Sequence, residues 1–233
     1  MSSPAWPHSE ITEIFPNIFM VMGTNITSCS NVELQHSRNM IMLRDGDQLS
    51  LINTVRLTDA GLAALDALGK VSNVIRIGAF HGRDDAFYLE RYDAKLWALA
   101  GMQHENNRVA DFLLQPNDKM PWPNSSIFIF ETSAFPEGIL HIADEGGILI
   151  TCDSIKNWVK PDRFFSTETA KLYEEQGLFG VASIAKVWLE ACQVKPADFD
   201  RLKFLKFNHL LSAHGAPLMD IADKKIAEAI SGL

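Results

Sequence analysis

Apolar residues along this chain gather into short runs separated by Gly, Pro, Asn and Asp, a pattern that predicts short strands more often than long helices. Residues 11–22 predict a strand, a turn at Pro16-Asn17 and the start of a second strand, and the polar residues 24–31 predict a loop. Two extended runs, 40–43 and 48–54, flank Asp45-Gly46, a dipeptide whose members tolerate positive φ, so they predict an antiparallel hairpin. Thr58 then predicts an N-cap, because its side-chain oxygen can satisfy a free amide of the helix that follows. That helix carries Leu62, Leu65 and Leu68 at three-residue spacing and has Gly69 at its end.

Residues 74–80 predict a buried strand, 87–92 a short helix and 95–100 a further strand, the alternation of an α/β layer. A long polar stretch, 103–123, interrupts it; loops of that length in compact domains are usually functional, so it is expected to shape a pocket, with Trp122 facing a substrate or a partner. Runs 127–132, 138–143 and 147–151 predict a second sheet, with Asp144-Glu145-Gly146 as a tight turn. From Thr167 the chain reads as helical, over 169–175, 184–192 and 198–207. A short extended run at 210–212 ends at His214-Gly215, and an amphipathic helix at 221–230 closes the chain. No repeat, low-complexity segment or linker divides the sequence, so it predicts one domain over 1–233 with a helical insertion at about 167–207.

The 233 residues are 47% hydrophobic and 21% charged, enough apolar content for a sizeable core and too much for a disordered chain. No apolar run approaches the roughly 20 residues that span a bilayer, which argues against a membrane partner. Asp and Glu number 29 against 21 Lys and Arg, a net charge of −8 that repels a phosphate backbone and makes nucleic acid a poor partner. The three cysteines, Cys29, Cys152 and Cys192, form no Cys-x-x-Cys pair and read as reduced thiols. Residues 1–10 lack a basic stretch followed by an apolar one, so a cytoplasmic location is expected.

Candidate chemistry sits in three segments that each follow a predicted buried strand, where α/β folds place their ligands: His81-Gly82-Arg83-Asp84-Asp85, Cys152-Asp153-Ser154, and Ser212-Ala213-His214-Gly215. Their order and spacing resemble the metallo-β-lactamase superfamily. Its members carry His-x-His-x-Asp-His after a strand, a His near Thr-Pro-Gly, an Asp after a later strand and a final His-Gly. The resemblance covers most of the chain, from the hairpin and helix of 40–69 to His214. It implies an α+β fold, an αββα four-layer sandwich of two mixed β-sheets flanked by helices. In the first motif Phe80 and Gly82 replace the first two histidines, Asp84 keeps the acid and Asp85 stands in the third histidine's place. The second motif survives as Ala134-Phe135-Pro136-Glu137-Gly138, with Ala134 in place of the histidine; the third is Thr151-Cys152-Asp153, and His214-Gly215 is intact. A register shifted by one makes His81 the first histidine and Asp85 the acid, but puts Ala86 in a ligand's place.

In the superfamily's two-metal centre, the positions now held by Phe80, Gly82 and Ala134 serve one ion. The resemblance therefore implies a degenerate site with one remaining metal position, on Asp84, Asp85, Asp153 and His214. Three carboxylates and one imidazole carry a formal −3 and need a counter-charge. A divalent ion is one candidate: iron, manganese or zinc, the oxygen-rich set suiting Mn(II), Fe(II) or Mg(II) better than the nitrogen and sulfur sets zinc prefers. An ion pair to Arg83 in a metal-free pocket is the other. Two functions follow. One is a mononuclear metal-dependent hydrolase of an ester, amide or phosphoester in a small-molecule substrate, with Asp84 taking a proton and His81 donating to substrate or orienting an aspartate. The other is a non-catalytic binding or scaffolding protein that has lost its metal. A lactamase is not expected without a secretory signal and the histidine site, nor a nuclease at −8 with a broken first motif. The helix at 221–230 packs on the core or pairs two copies as a homodimer, which periodicity does not separate.

Overall fold

The computed structural model describes residues 3–29 and 32–233. Seven strands lie side by side in chain order in the first sheet: β1 (Thr12–Phe15), β2 (Ile18–Cys29), β3 (Val32–Asp45), β4 (Gln48–Ile52), β5 (Lys70–Arg76), β6 (Lys95–Ala98) and β7 (Phe112–Leu113). Pairing is antiparallel from β1 to β4 and parallel from β4 to β7. The second sheet holds β8 (Ser125–Ile129), β9 (Gly138–Ile142), β10 (Ile148–Thr151) and β11 (His209–Ser212), in the order β11-β10-β9-β8, with only β10 and β11 parallel.

Unbroken apolar runs become strands here because both faces of each sheet are covered, so successive side chains enter different cores. Ile41 and Leu43 point between the two sheets, whereas Met40 and Met42 point outward to α1 (Asp59–Leu68) and α2 (Asp85–Tyr92). In the second sheet Ile148 and Ile150 join the central core, and Leu149 meets a third core under α4 (Lys186–Cys192), α5 (Pro196–Asp200) and α6 (Ala222–Ser231). Three apolar layers separated by two sheets make the expected αββα arrangement. No helix of the described residues is long and apolar enough to cross a membrane.

Local chemistry places the elements. The Asp45-Gly46 hairpin joins β3 to β4, and the Thr58 side chain accepts from the Gly61 amide at 3.3 Å to start α1. Ser166 caps α3 (Thr167–Glu175) in the same way, accepting from the Thr169 amide at 3.1 Å.

Several sequence expectations are corrected. The polar residues 24–29 are strand, because β2 and β3 continue beyond the rest of the sheet as a two-stranded ribbon paired out to Cys29 and Val32; the remainder of the expected loop lies outside the described residues. Polarity there reflects a ribbon without a deep core on either face. The strand expected over 74–80 ends at Arg76, since Ile77 O accepts from Gly138 N at 2.7 Å and Ala79 N donates to Pro136 O at 2.9 Å. At that point the chain leaves one sheet to bond the other. The strand expected at 95–100 stops at Ala98, and the helix expected over 198–207 is α5 followed by a tight turn at Arg201–Phe204. Trp122 lies in the core between the sheets, 8% exposed, rather than open at the surface as expected.

Leu140 is fully buried at the centre of the interface between the sheets. Leu140→Ala is expected to lower unfolding free energy by about 3 kcal/mol, the usual range for a truncated core leucine, as read by urea denaturation with unchanged m-value.

Candidate metal centre

Parallel pairing sets β10 and β11 in register, Thr151 opposite Ser212, so the residues two positions beyond each strand, Asp153 and His214, emerge side by side. Asn39, buried on β3, fixes this corner: its Nδ2 donates to Ser212 O at 2.8 Å and Gly215 O at 2.6 Å, and its backbone amide donates to Ala213 O at 2.8 Å. Gly215 is required at its place, because its φ is +93° and a Cβ there would lie 2.0 Å from Asn157 O. The loop after β5 supplies the third member. Arg76 holds that loop by donating to Gly78 O at 3.3 Å and Ala79 O at 2.6 Å. Gly82, at φ +132° with no room for a Cβ against the Arg76 guanidinium, turns the chain just after His81.

Three buried ligand atoms converge as a result. His81 Nε2 lies 3.1 Å from His214 Nε2 and 3.4 Å from Asp153 Oδ2, and His214 Nε2 lies 3.2 Å from Asp153 Oδ1. These separations are close to the edge of a coordination polyhedron with bonds of about 2.1 Å. His214 Nδ1–H donates to Ser37 O at 3.2 Å, which leaves Nε2 as a lone pair facing the carboxylate and the second imidazole. Burial, reinforced by Lys156, holds the His214 pKa well below its ordinary value, so the ring is neutral. Burial opposes ionisation of Asp153, yet Lys156, at 3.1 Å from Oδ1, and then His81 keep its pKa well below the usual carboxylate range. Both groups are in the protonation state a metal ligand needs.

The structure does not bring the four expected ligands together. Asp153 and His214 meet His81, but neither Asp84 nor Asp85 has an oxygen close to all three of those atoms. Asp84 faces the other way: its carboxylate takes the backbone amide of Arg56 at 3.0 Å, the hydroxyl of Ser3 and the guanidinium of Arg38 at 3.5 Å. Asp85 is buried and accepts from Thr54 Oγ1 at 2.6 Å; burial raises its pKa against that hydrogen bond. One carboxylate and two imidazoles replace the expected three carboxylates and one imidazole. The counter-charges are Arg38 and Lys156. Arg83 instead donates to Ile26 O at 3.0 Å.

Beside this cluster, Glu137 is buried, accepts from the Ser154 amide and has its pKa pushed up to about 8 by burial and the Asp153 charge. Cys152, against the backbone of Gly78, keeps its proton, since burial and the same two acids raise its pKa well above the ordinary thiol value. A protonated thiol is a poor ligand, so Cys152 packs as a small hydrophobe.

The three ligands open on a cavity of about 260 Å³ lined also by His36, Trp158 and Tyr173, and by none of residues 103–123. Sequence reading missed Arg38, Asn39 and Lys156. Polar Arg38-Asn39 at the head of the apolar run 40–43 was a usable signal, as was a lysine three residues after Asp153.

No family model and no curated protein matches the sequence. Solved structures do match. The metallo-β-lactamase DIM-1, exposed to ceftazidime, superposes with a TM-score of 0.62 at 15% identity, covering 98% of this chain and 99% of that one. FIM-1 from Pseudomonas aeruginosa, in a mono-zinc form, gives 0.62 at 14% over 98% and 96%. The Erythrobacter litoralis metallo-β-lactamase gives 0.58 at 12% over 96% and 92%. The chain has the metallo-β-lactamase fold.

His36 sits in an aromatic cage, its ring centroid 5.2 Å from Trp158 and 5.7 Å from Tyr173, and burial first, then Lys156 and Arg38, lower its pKa to about 4. A folded pKa below the unfolded 6.5 means that stability is full above pH 6.5 and is lost as pH falls through about 4. With its partial exposure discounted, the loss is expected to be about 2 kcal/mol. His36→Gln should remove that part of the acid slope in denaturation curves taken between pH 7 and 4.

Proposed function

We propose that this protein is a hydrolase that uses one divalent metal ion, held by His81, Asp153 and His214, to cleave an ester, amide or phosphoester in a small molecule. The observation that carries the reading is the His214 tautomer. With Nδ1–H committed to Ser37 O, the Nε2 lone pair stands 3.2 Å from a carboxylate oxygen and 3.1 Å from a second imidazole nitrogen. A positive centre must stand between them, either a proton on His81 Nε2 or a metal ion, and we take the second.

Two imidazoles and one carboxylate suit zinc or iron(II) better than magnesium. FIM-1, a structural neighbour, is known in a mono-zinc form, which supports a single occupied position on this fold. A bound ion there supplies a Lewis acid that polarises a carbonyl or phosphoryl oxygen and acidifies a water. The chain's own part is to hold the donors. Lys156 keeps Asp153 ionised, Ser37 orients His214, and the Arg38–Asp84 pair braces the floor beside them. Trp158, with its ring centroid 4.3 Å from the His214 ring, shields one side from water. Free, buried Cys152 and Cys192 suit a reducing compartment, and we place the protein in the cytoplasm.

A second reading is favoured by Lys156, whose ammonium at 3.1 Å from Asp153 already supplies one positive charge and suits a metal-free binding protein. Metal analysis separates the two. Purified without chelator or histidine tag, the protein is expected to carry close to one equivalent of zinc or iron. His81→Ala and His214→Ala should each reduce that below a tenth, and Asp84→Asn should leave it unchanged. Less than a tenth of an equivalent in the unmodified chain would overturn the hydrolase reading.

A further inference from the structure

The charge lining the cavity is opposite in sign to that of the chain. Three cations, Arg38, Arg83 and Lys156, face it against one carboxylate, Asp153, in a protein of net charge −8. Two of the three already have partners: Arg38 pairs with Asp84 at 3.5 Å and Lys156 with Asp153 at 3.1 Å. Among the described residues, Arg83 has no carboxylate within 4.0 Å. One of its guanidinium nitrogens, Nη1, donates to Ile26 O on β2 at 3.0 Å, which pins the side chain against the ribbon and leaves its remaining donors available. A planar fork of N–H groups at the edge of a cavity matches a carboxylate or a phosphoryl group, which takes two of them at once.

An apolar surface stands next to this cation. Phe80 lines the same cavity with 55% of its surface exposed, and its ring lies 5.2 Å from that of Phe135, itself 45% exposed. Large aromatic side chains are seldom left so open, and two in contact at the rim of a polar cavity form a platform for an apolar group. The volume, about 260 Å³, falls just below the roughly 300 Å³ at which drug-sized pockets begin, so the occupant is small.

We infer that this cavity takes a small organic acid with an apolar group, its carboxylate or phosphoryl oxygens chelated by Arg83 and its apolar part laid on Phe80. The inference names the substrate class of the proposed hydrolase and rests on that reading for its catalytic meaning. The anion contact itself involves no metal ligand, so its test stands apart.

Phenylphosphonate and phenylacetate, neither of which offers a scissile ester, are titrated into protein as purified and after chelator treatment, by calorimetry and by the fluorescence of Trp158 in the cavity wall. Both forms of the protein should bind at least one of the two acids, and the neutral phenylacetamide should bind at least tenfold more weakly. Arg83→Gln should weaken acid binding about tenfold, with melting temperature and metal content unchanged, and Arg83→Lys should recover part of it. Phe80→Ala should weaken the phenyl acids and leave inorganic phosphate unaffected. Equal affinity in Arg83→Gln and the unmodified chain, equal binding of acid and amide, or binding of neither acid would each overturn the inference. Arg83-dependent binding by a protein that carries no metal would overturn the hydrolase reading alone, and a stoichiometric metal without acid binding would overturn this inference alone.

Discussion

The register of β10 against β11 is the constraint on which the site depends. Because the two strands run parallel with Thr151 opposite Ser212, the chain delivers Asp153 and His214 to the same corner of the second sheet, from segments about 60 residues apart. A slip of one residue would turn each side chain to the opposite face. The slip is opposed by strand residues that alternate between two cores and by Asn39, which reaches from the other sheet to hold the carbonyls of Ser212 and Gly215. Packing and hydrogen bonding thus specify one geometry together, and the ligands inherit it.

A second dependence follows from how the sheets are joined. The chain after β5 leaves its own sheet at Ile77 to bond the start of β9, and Arg76 fills the space under the resulting loop. That crossing carries His81 over the interface to meet the two residues from the second sheet. Electrostatics then sorts the acids: Asp153 stands among two imidazoles and Lys156, whereas Asp84 is neutralised by Arg38 and Asp85 is shielded beneath Thr54. Three aspartates expected at one site therefore hold three different roles.

The architecture was legible wherever a local rule acts alone. The hairpin at Asp45-Gly46, the caps at Thr58 and the double-sided apolar runs are properties of adjacent residues, and they indicated a layered α+β fold that the structure has. Residues 24–31 read as a loop because the ribbon they enter is held by hydrogen bonds, strand to strand and from Thr24 and Gln35 to the segment of Phe164 and Thr169, so it carries no apolar face for sequence to register. Trp122 was misread for the converse reason: its flanking prolines resemble an exposed loop, and only the packing of the two sheets shows that the side chain fills the core between them.

For the site, the sequence by itself determined which chemistry was available: a histidine or aspartate just past the end of each central strand, an excess of acid overall and no pair of cysteines to hold zinc. Only the tertiary structure decided which of those groups meet. His81 rather than Asp84 joins Asp153 and His214, because the turn at Gly82 sends one side chain inward and the next acid toward Arg38, a residue some 46 positions earlier in the chain. Spacing along a chain fixes the order of such groups. The direction each one faces depends on a turn angle and on a cation brought from another strand, and neither is a property of neighbouring residues.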